Sequence, residues 1–169
     1  MNNQNRLRIQ SLLACVLAAV LGYGGPAIAA EPPAFTFDFP AGVACNFELR
    51  VEGFDSNLRF RQFTDKNGNV VRSIQAGKGF ELHFTNVTTH GTFSTKSNGS
   101  VDHTTFNADG SSTVTATGHN VLSFFPTDVP PGPSTTLIVG RVVFTVDPGD
   151  VFTLLDVSGR TVDICAALS

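Results

Sequence analysis

Four histidines, His83, His90, His103 and His119, are the side chains of this 169-residue sequence best suited to hold a metal or move a proton near neutral pH. A zinc site needs three or four converging ligands. His83 and His103 fall in the middle of alternating segments, His90 and His119 lie near turns, and no H-x-H or H-E-x-x-H spacing occurs. The expectation is scattered surface or pocket-rim histidines and no metal. Nucleophilic catalysis is no better supplied. There is no G-x-S-x-G elbow, and Ser94-Thr95-Lys96 lacks the S-x-x-K spacing. Asp102 and His103 are sequence neighbours, so on a strand they point to opposite faces. The carboxylates are spread singly, with Glu48 and Glu52 the one close pair on a common face. Asp65-Lys66-Asn67-Gly68-Asn69 resembles the start of a calcium loop, but the sixth and twelfth positions, Gly and Glu in an EF-hand, are Val70 and Ala76. Gly77-Lys78-Gly79 leads into no helix and lacks the spacing of a phosphate loop. Asn86-Val87-Thr88 and Asn98-Gly99-Ser100 are formal glycosylation sequons, both at predicted turns. No cofactor is implied.

Two cysteines have chemistry to do once the first thirty residues are considered. Arg6 and Arg8, the apolar run Leu12 to Leu21, and Ala27-Ile28-Ala29 together read as a secretory signal over residues 1–29, cut before Ala30. A membrane anchor needs about 20 apolar residues, and Gly22, Gly24, Gly25 and Pro26 interrupt this run. Cys15 sits inside the apolar stretch rather than after it, which argues against lipid attachment there. Removal of the signal leaves Cys45 and Cys165, an even count in a chain expected to be secreted and extracellular, and hence one disulfide. A loop of that size contributes roughly 4–5 kcal/mol by chain entropy. The bridge also requires the first and last strands to be neighbours. Without Arg6 and Arg8 the 14 acidic residues outnumber the basic ones more strongly than the whole-chain charge of −3 indicates. That balance argues against nucleic acid and anionic lipid as partners. No later apolar run approaches a membrane span.

The elements that must position these residues are strands. Residues 30–34 read as a flexible leader and 35–169 as a single β domain. Hydrophobic residues make up 41% of the chain, enough for a packed core, and only 15% are charged. From Phe35 onward the apolar period is two, with turn residues every six to twelve positions and no useful segment of helical period. Phe47, Leu49 and Val51 alternate with charges, as do Leu58 and Phe60. A four-residue loop Gly53-Phe54-Asp55-Ser56 predicts a hairpin between them, with Val51 opposite Leu58, Leu49 opposite Phe60, and Glu48 paired to Arg61. A bulge is expected near Gln62. Asn67-Gly68 and Asn98-Gly99 predict two further hairpins. Val151 to Val157 and Thr161 to Leu168 are expected as two closing strands around a Ser158-Gly159 turn. Pro126 to Pro133 is the one long rigid loop. The fold class is all-β, an antiparallel meander that closes into a barrel, with a β-sandwich as the alternative. The expected disulfide favours the barrel.

Phenylalanine is used 15 times, tryptophan never. Phe35, Phe37, Phe39, Phe47, Phe60, Phe80, Phe84, Phe124, Phe125, Phe144 and Phe152 are candidates for one interior, either a plain aromatic core or the lining of an apolar cavity.

The segments NLRFRQFTDKNGNVVR (57–72), VDHTTFNADGSSTVTATGHN (101–120), PTDVPPGPSTTLIVGRVVFTVD (126–147) and VDICAALS (162–169) resemble a group of small exported actinobacterial proteins with no assigned function. The resemblance implies an exported bacterial β domain and supplies no catalytic residues. In architecture alone, a meander barrel with Gly-rich turns is similar to the allene oxide cyclase and dirigent barrels, whose acidic pocket residues find no counterpart here. The leading expectation is a non-enzymatic extracellular binding domain whose partner is a small hydrophobic molecule, with His119, Phe124 and Phe125 at the pocket mouth. The alternatives are a dirigent- or cyclase-like enzyme using Glu81, His83 or His103, and a passive surface or matrix protein without a pocket.

Overall fold

Alternating β-branched and aromatic residues between Gly, Asn and Asp turns give strands almost throughout. A computed structural model describes residues 31–96 and 98–169; the expected signal, with Arg6, Arg8 and Cys15, lies outside the described residues. The elements are β1 (Phe35–Phe39), β2 (Leu49–Phe54), β3 (Asn57–Thr64), β4 (Val70–Lys78), β5 (Glu81–Asn86), β6 (Thr92–Thr95), β7 (Gly99–Phe106), β8 (Ser112–Phe124), β9 (Ser134–Val146), β10 (Phe152–Asp163) and one helical turn, α1 (Ile164–Ala167). Pairing is antiparallel in two sheets, a small one in the order β1-β2-β5-β6 and a large one in the order β10-β9-β8-β7-β4-β3. No closed barrel forms among the described residues. Pro32–Ser169 is one compact unit.

The split into two sheets overturns several local expectations. β2 and β3 do not form a hairpin. β2 lies between β1 and β5, with Val51 opposite both Phe37 and Phe84, and β3 pairs with β4 in the other sheet. Both edges of β2 are thus taken by apolar partners. Glu48 does not pair with Arg61; an ion pair on the small sheet instead joins Arg50 to Asp38 at 2.7 Å. The irregularity of the β3–β4 hairpin falls at Phe63/Thr64 rather than near Gln62. The segments at Gly77-Lys78-Gly79 and Asn98-Gly99 also carry the chain from one sheet to the other. Glycine and Asn-Gly permit a sharp change of direction, and that change serves a corner between sheets as well as a hairpin. The expected hairpin at Asn67-Gly68 does form, and two more close at the Asp- and Gly-containing turns Asp109-Gly110 and Asp147–Asp150.

Ser158-Gly159 is not a turn either. Gly159 sits inside β10, in register with Gly140 of β9 and Gly118 of β8, and the row continues through Ser100 to Gly77. Backbone packs directly on these positions. A Cβ on Gly118 would stand 2.2 Å from the carbonyl oxygen of Gly99, and one on Gly159 2.3 Å from that of Val139. Their φ angles, +101° and +114°, are strained for any residue with a side chain. The row is a crease at which the large sheet bends.

The extent of the bend is fixed by Asp128. Its carboxylate accepts from the backbone N–H of Phe125 at 2.6 Å and of Phe152 at 3.0 Å. Phe125 follows the last residue of β8, whereas Phe152 starts β10 beside Val146, itself opposite the first residue of β8. The 13 residues of β8 would span about 40 Å if straight. One buried carboxylate instead holds both ends of the ribbon, so β8, β9 and β10 fold back on themselves.

Two cores result. The first gathers Leu49, Val51 and Phe84 of the small sheet, Ala44 and Cys45, Leu137 of β9, and Ile164 and Leu168 at the chain's end. The second lies within the bend, with Ala116, Ile138, Val142 and Phe144 at its centre. The Cys45–Cys165 disulfide forms, with Cα atoms 5.6 Å apart. It does not make the first and last strands neighbours. Cys45 lies between β1 and β2, and Cys165 lies in α1, which replaces the expected end of a strand because Asp163 caps it by accepting from Ala166 N at 2.9 Å. The bridge therefore staples one sheet to the other. The phenylalanines divide accordingly, and Phe37 and Phe60 face solvent at 55% and 61% exposure.

Candidate functional site

The three strand-to-strand crossings between the sheets, from β2 to β3, β4 to β5 and β6 to β7, all leave from or arrive at one end of the small sheet, at Phe54, Glu81 and Thr95, beside the crease. Strands that turn a corner cannot fill it fully, and a cavity of about 280 Å³ remains there. Phe35, Leu58, Phe80, Leu82, Val121 and Leu137 form apolar walls drawn from both sheets. Phe35 is placed by Gly53: the two are cross-strand partners, and a Cβ on Gly53 would fall 2.2 Å from the Phe35 ring. Phe80 meets Phe35 edge-on with ring centroids 5.0 Å apart. Thr95, Lys96, Asn98 and His119 supply the polar part of the lining. Lys96 and His119 are exposed, so cation and imidazole stand where the cavity meets water. Lys96 makes no ion pair among the described residues.

The residues singled out from the sequence separate. His119 lines the cavity, one residue beyond the crease glycine Gly118. Phe124 and Phe125 do not. Phe124 is buried under the proline loop, where its carbonyl faces Gly132, and Phe125 packs against Phe39 at 5.9 Å. Glu81 and His83 meet each other on β5, with Nε2 2.9 Å from Oε1 and the Phe54 ring 4.7 Å from the imidazole. They share the face opposite Leu82 and Phe84, which puts them outside the cavity. His103 is exposed on β7 in the large sheet. No group of three His, Cys, Asp or Glu side chains among the described residues is arranged to hold a metal. Asp65 turns its carboxylate into its own loop, accepting from Asn67 N at 2.8 Å and Asn69 N at 3.0 Å. Those bonds, with that from Asn69 foremost, hold it below the ordinary carboxylate range.

Sequence reasoning included Phe35 and Phe80 among the candidates for a cavity lining but missed Leu58, Leu82 and Lys96. The available signal was the three glycine- and Asn-rich segments at which the chain changes sheets, of which Gly53-Phe54-Asp55-Ser56 and Asn98-Gly99 were read as hairpin turns. The sequon at Asn86 also changes meaning. That side chain is buried, donates to Leu168 O at 3.1 Å, and accepts from Thr88 N and Thr89 N, so it is a structural tie and offers no free amide for a glycan.

One carboxylate is out of place. Asp102 lies on the inner side of the bent ribbon, its Oδ1 buried without a hydrogen-bond partner. Burial raises its pKa above the ordinary aspartate value, and neighbouring His103 only partly opposes that.

No protein family, curated protein or solved structure matches the chain. The corner cavity and its lining therefore carry the functional reading by themselves. No helix among the described residues is long and apolar enough to cross a membrane.

Proposed function

We propose that this is an exported bacterial protein, built as a two-sheet sandwich rather than a closed barrel, that binds a small apolar molecule bearing one polar or anionic group. The observation that carries the reading is the corner cavity, with six apolar walls from two sheets and Lys96, Asn98 and His119 at its polar side. Its volume lies at the small end of ligand pockets, which selects small ligands. The disulfide supports export, since such bridges persist in oxidising compartments. The sandwich reading rests on the first core, which both sheets share. Glu81 and His83, the pair an enzymatic reading would use, stand outside the cavity, so binding without chemistry is preferred.

Native mass spectrometry of the protein from its own host tests the proposal. A ligand appears as extra mass that is lost on denaturation. Octanoate then serves as a defined probe. Leu58→Trp fills the cavity and introduces the only indole of the chain. Octanoate is expected to raise the melting temperature of the native protein by a few degrees and to leave the variant unmoved. A bare mass, together with no response to octanoate, overturns the reading.

A further inference from the structure

We infer that the outer face of the large sheet, on β3 and β4 and across β7 to β10, is a binding surface for an acidic polysaccharide. Cross-strand partners share a face, and the register sets out two rows. One runs Phe63, Arg72, Thr105, Thr113, Thr145, Thr153. The next runs Arg61, Ile74, His103, Thr115, Val143, Asp156. Arg59 lies beside them on β3, opposite Ala76. The chain as a whole is acidic, yet Arg59, Arg61 and Arg72 make no ion pair among the described residues. The one carboxylate in these rows, Asp156, is already bound to Arg141. Arg61 and Arg72 stand over the Phe63 ring, 5.0 and 4.3 Å from its centroid, which fixes two guanidinium groups on one spot. Next to Arg59 a groove of about 290 Å³ opens over Gly77, with Lys78 on its wall.

Uncompensated, positioned guanidinium groups call for carboxylate or sulfate. The hydroxyls decide what carries those anions. The threonine row crosses the sheet at the ~4.8 Å strand spacing, and the side chains of Thr105 and Thr145 have no hydrogen-bond partner among the described residues. That array matches a polyhydroxylated chain better than an acidic peptide, which needs charge alone. Nucleic acid is disfavoured because the Phe63 ring is occupied by arginines and offers no platform for a base, and because the rest of the protein is acidic.

The test measures binding of the disulfide-intact protein to immobilised polygalacturonate, heparin, polyglutamate and duplex DNA at physiological salt. Polygalacturonate or heparin is expected to bind at least tenfold more tightly than polyglutamate or DNA, and which of the two binds distinguishes carboxylate from sulfate recognition. The triple variant Arg59→Gln, Arg61→Gln, Arg72→Gln should lose at least tenfold in affinity. The pair Thr105→Val, Thr145→Val keeps strand-forming shape and should weaken polysaccharide binding about threefold, in line with the modest worth of a neutral hydrogen bond, while leaving residual polyglutamate binding unchanged. Melting temperatures of all variants check that the fold persists. Equal binding to all four polymers, no binding to either polysaccharide, or an unaffected triple variant with an intact fold would each overturn the proposal.

Discussion

The two cores of this protein are held by different means. The first lies between two sheets and is closed by ties between residues distant in sequence: the Cys45–Cys165 bridge, the Asn86 bond to Leu168 O, and the buried Thr135 hydroxyl donating to Ala44 O at 3.0 Å. The second lies within one sheet folded over a line of glycines, and the Asp128 carboxylate clasps its ends. A core between two sheets can be tied across its layers because two separate layers meet there. A creased ribbon is one layer, so its shape depends on backbone positions that tolerate no side chain. The candidate ligand cavity falls at the junction of the two regions, beside the crease.

The difference can be broken from either side. Cys45→Ser, with Cys165→Ser to avoid a free thiol, should cost roughly 4–5 kcal/mol by chain entropy and lower the melting temperature markedly. Hydrogen exchange should localise the loosening to the small sheet and α1, and exchange that quickens first within β8 to β10 would contradict the division. Gly118→Val attacks the crease instead. It forces a β-branched residue into positive φ and drives a Cβ against the Gly99 carbonyl, for a loss of at least about 3 kcal/mol. Gly68→Ala is the matched control. Its φ is +87°, but nothing lies within 4 Å of the added carbon, so only about 1–2 kcal/mol is expected. Equal effects in urea unfolding would show that the crease is not special.

Asp128→Ala should cost about 2–3 kcal/mol, because it leaves two backbone N–H groups without their charged acceptor. Amide exchange at Phe125 and Phe152 should quicken together; if only one responds, the clasp is not holding the ends jointly. Asp102→Asn is the smallest change and has the opposite sign. Burial raises the folded-state pKa of Asp102. The folded protein thus keeps this proton to higher pH than the unfolded chain does. The associated stability is complete below the unfolded value, about 3.9, and is lost as pH rises through the folded one. The variant should therefore match the native protein in acid and exceed it at neutral pH, by on the order of one degree in melting temperature. A variant less stable at neutral pH would mean that the carboxylate has a partner within the bend.

Much of the local structure was legible in the residues themselves. Phe35–Phe39 alternates and is a strand, and Asn67-Gly68, Asp109-Gly110 and Asp147–Asp150 close hairpins as their turn chemistry requires. The pairing of Cys45 with Cys165 followed from their number after an expected cleavage. His119, expected near a turn, lies in the middle of β8, and the cavity it lines is formed with Leu58, Phe80 and Lys96 rather than with Phe124 and Phe125.

The sequence by itself determined that the chain is all-β, where most strands begin, and that one disulfide would form. Those outcomes rest on side-chain period, turn propensity and cysteine count, all local or countable quantities. Only the tertiary structure decided which strands pair, that Gly159 joins Gly118 and Gly140 in a crease rather than forming a turn, and where the cavity opens. The physical reason is that a glycine allows a change of direction without specifying its use. Whether the chain turns into a hairpin, a corner or a bend is settled by which apolar faces find partners elsewhere in the molecule. For β2 those partners were Phe37 and Phe84, one of them distant in sequence.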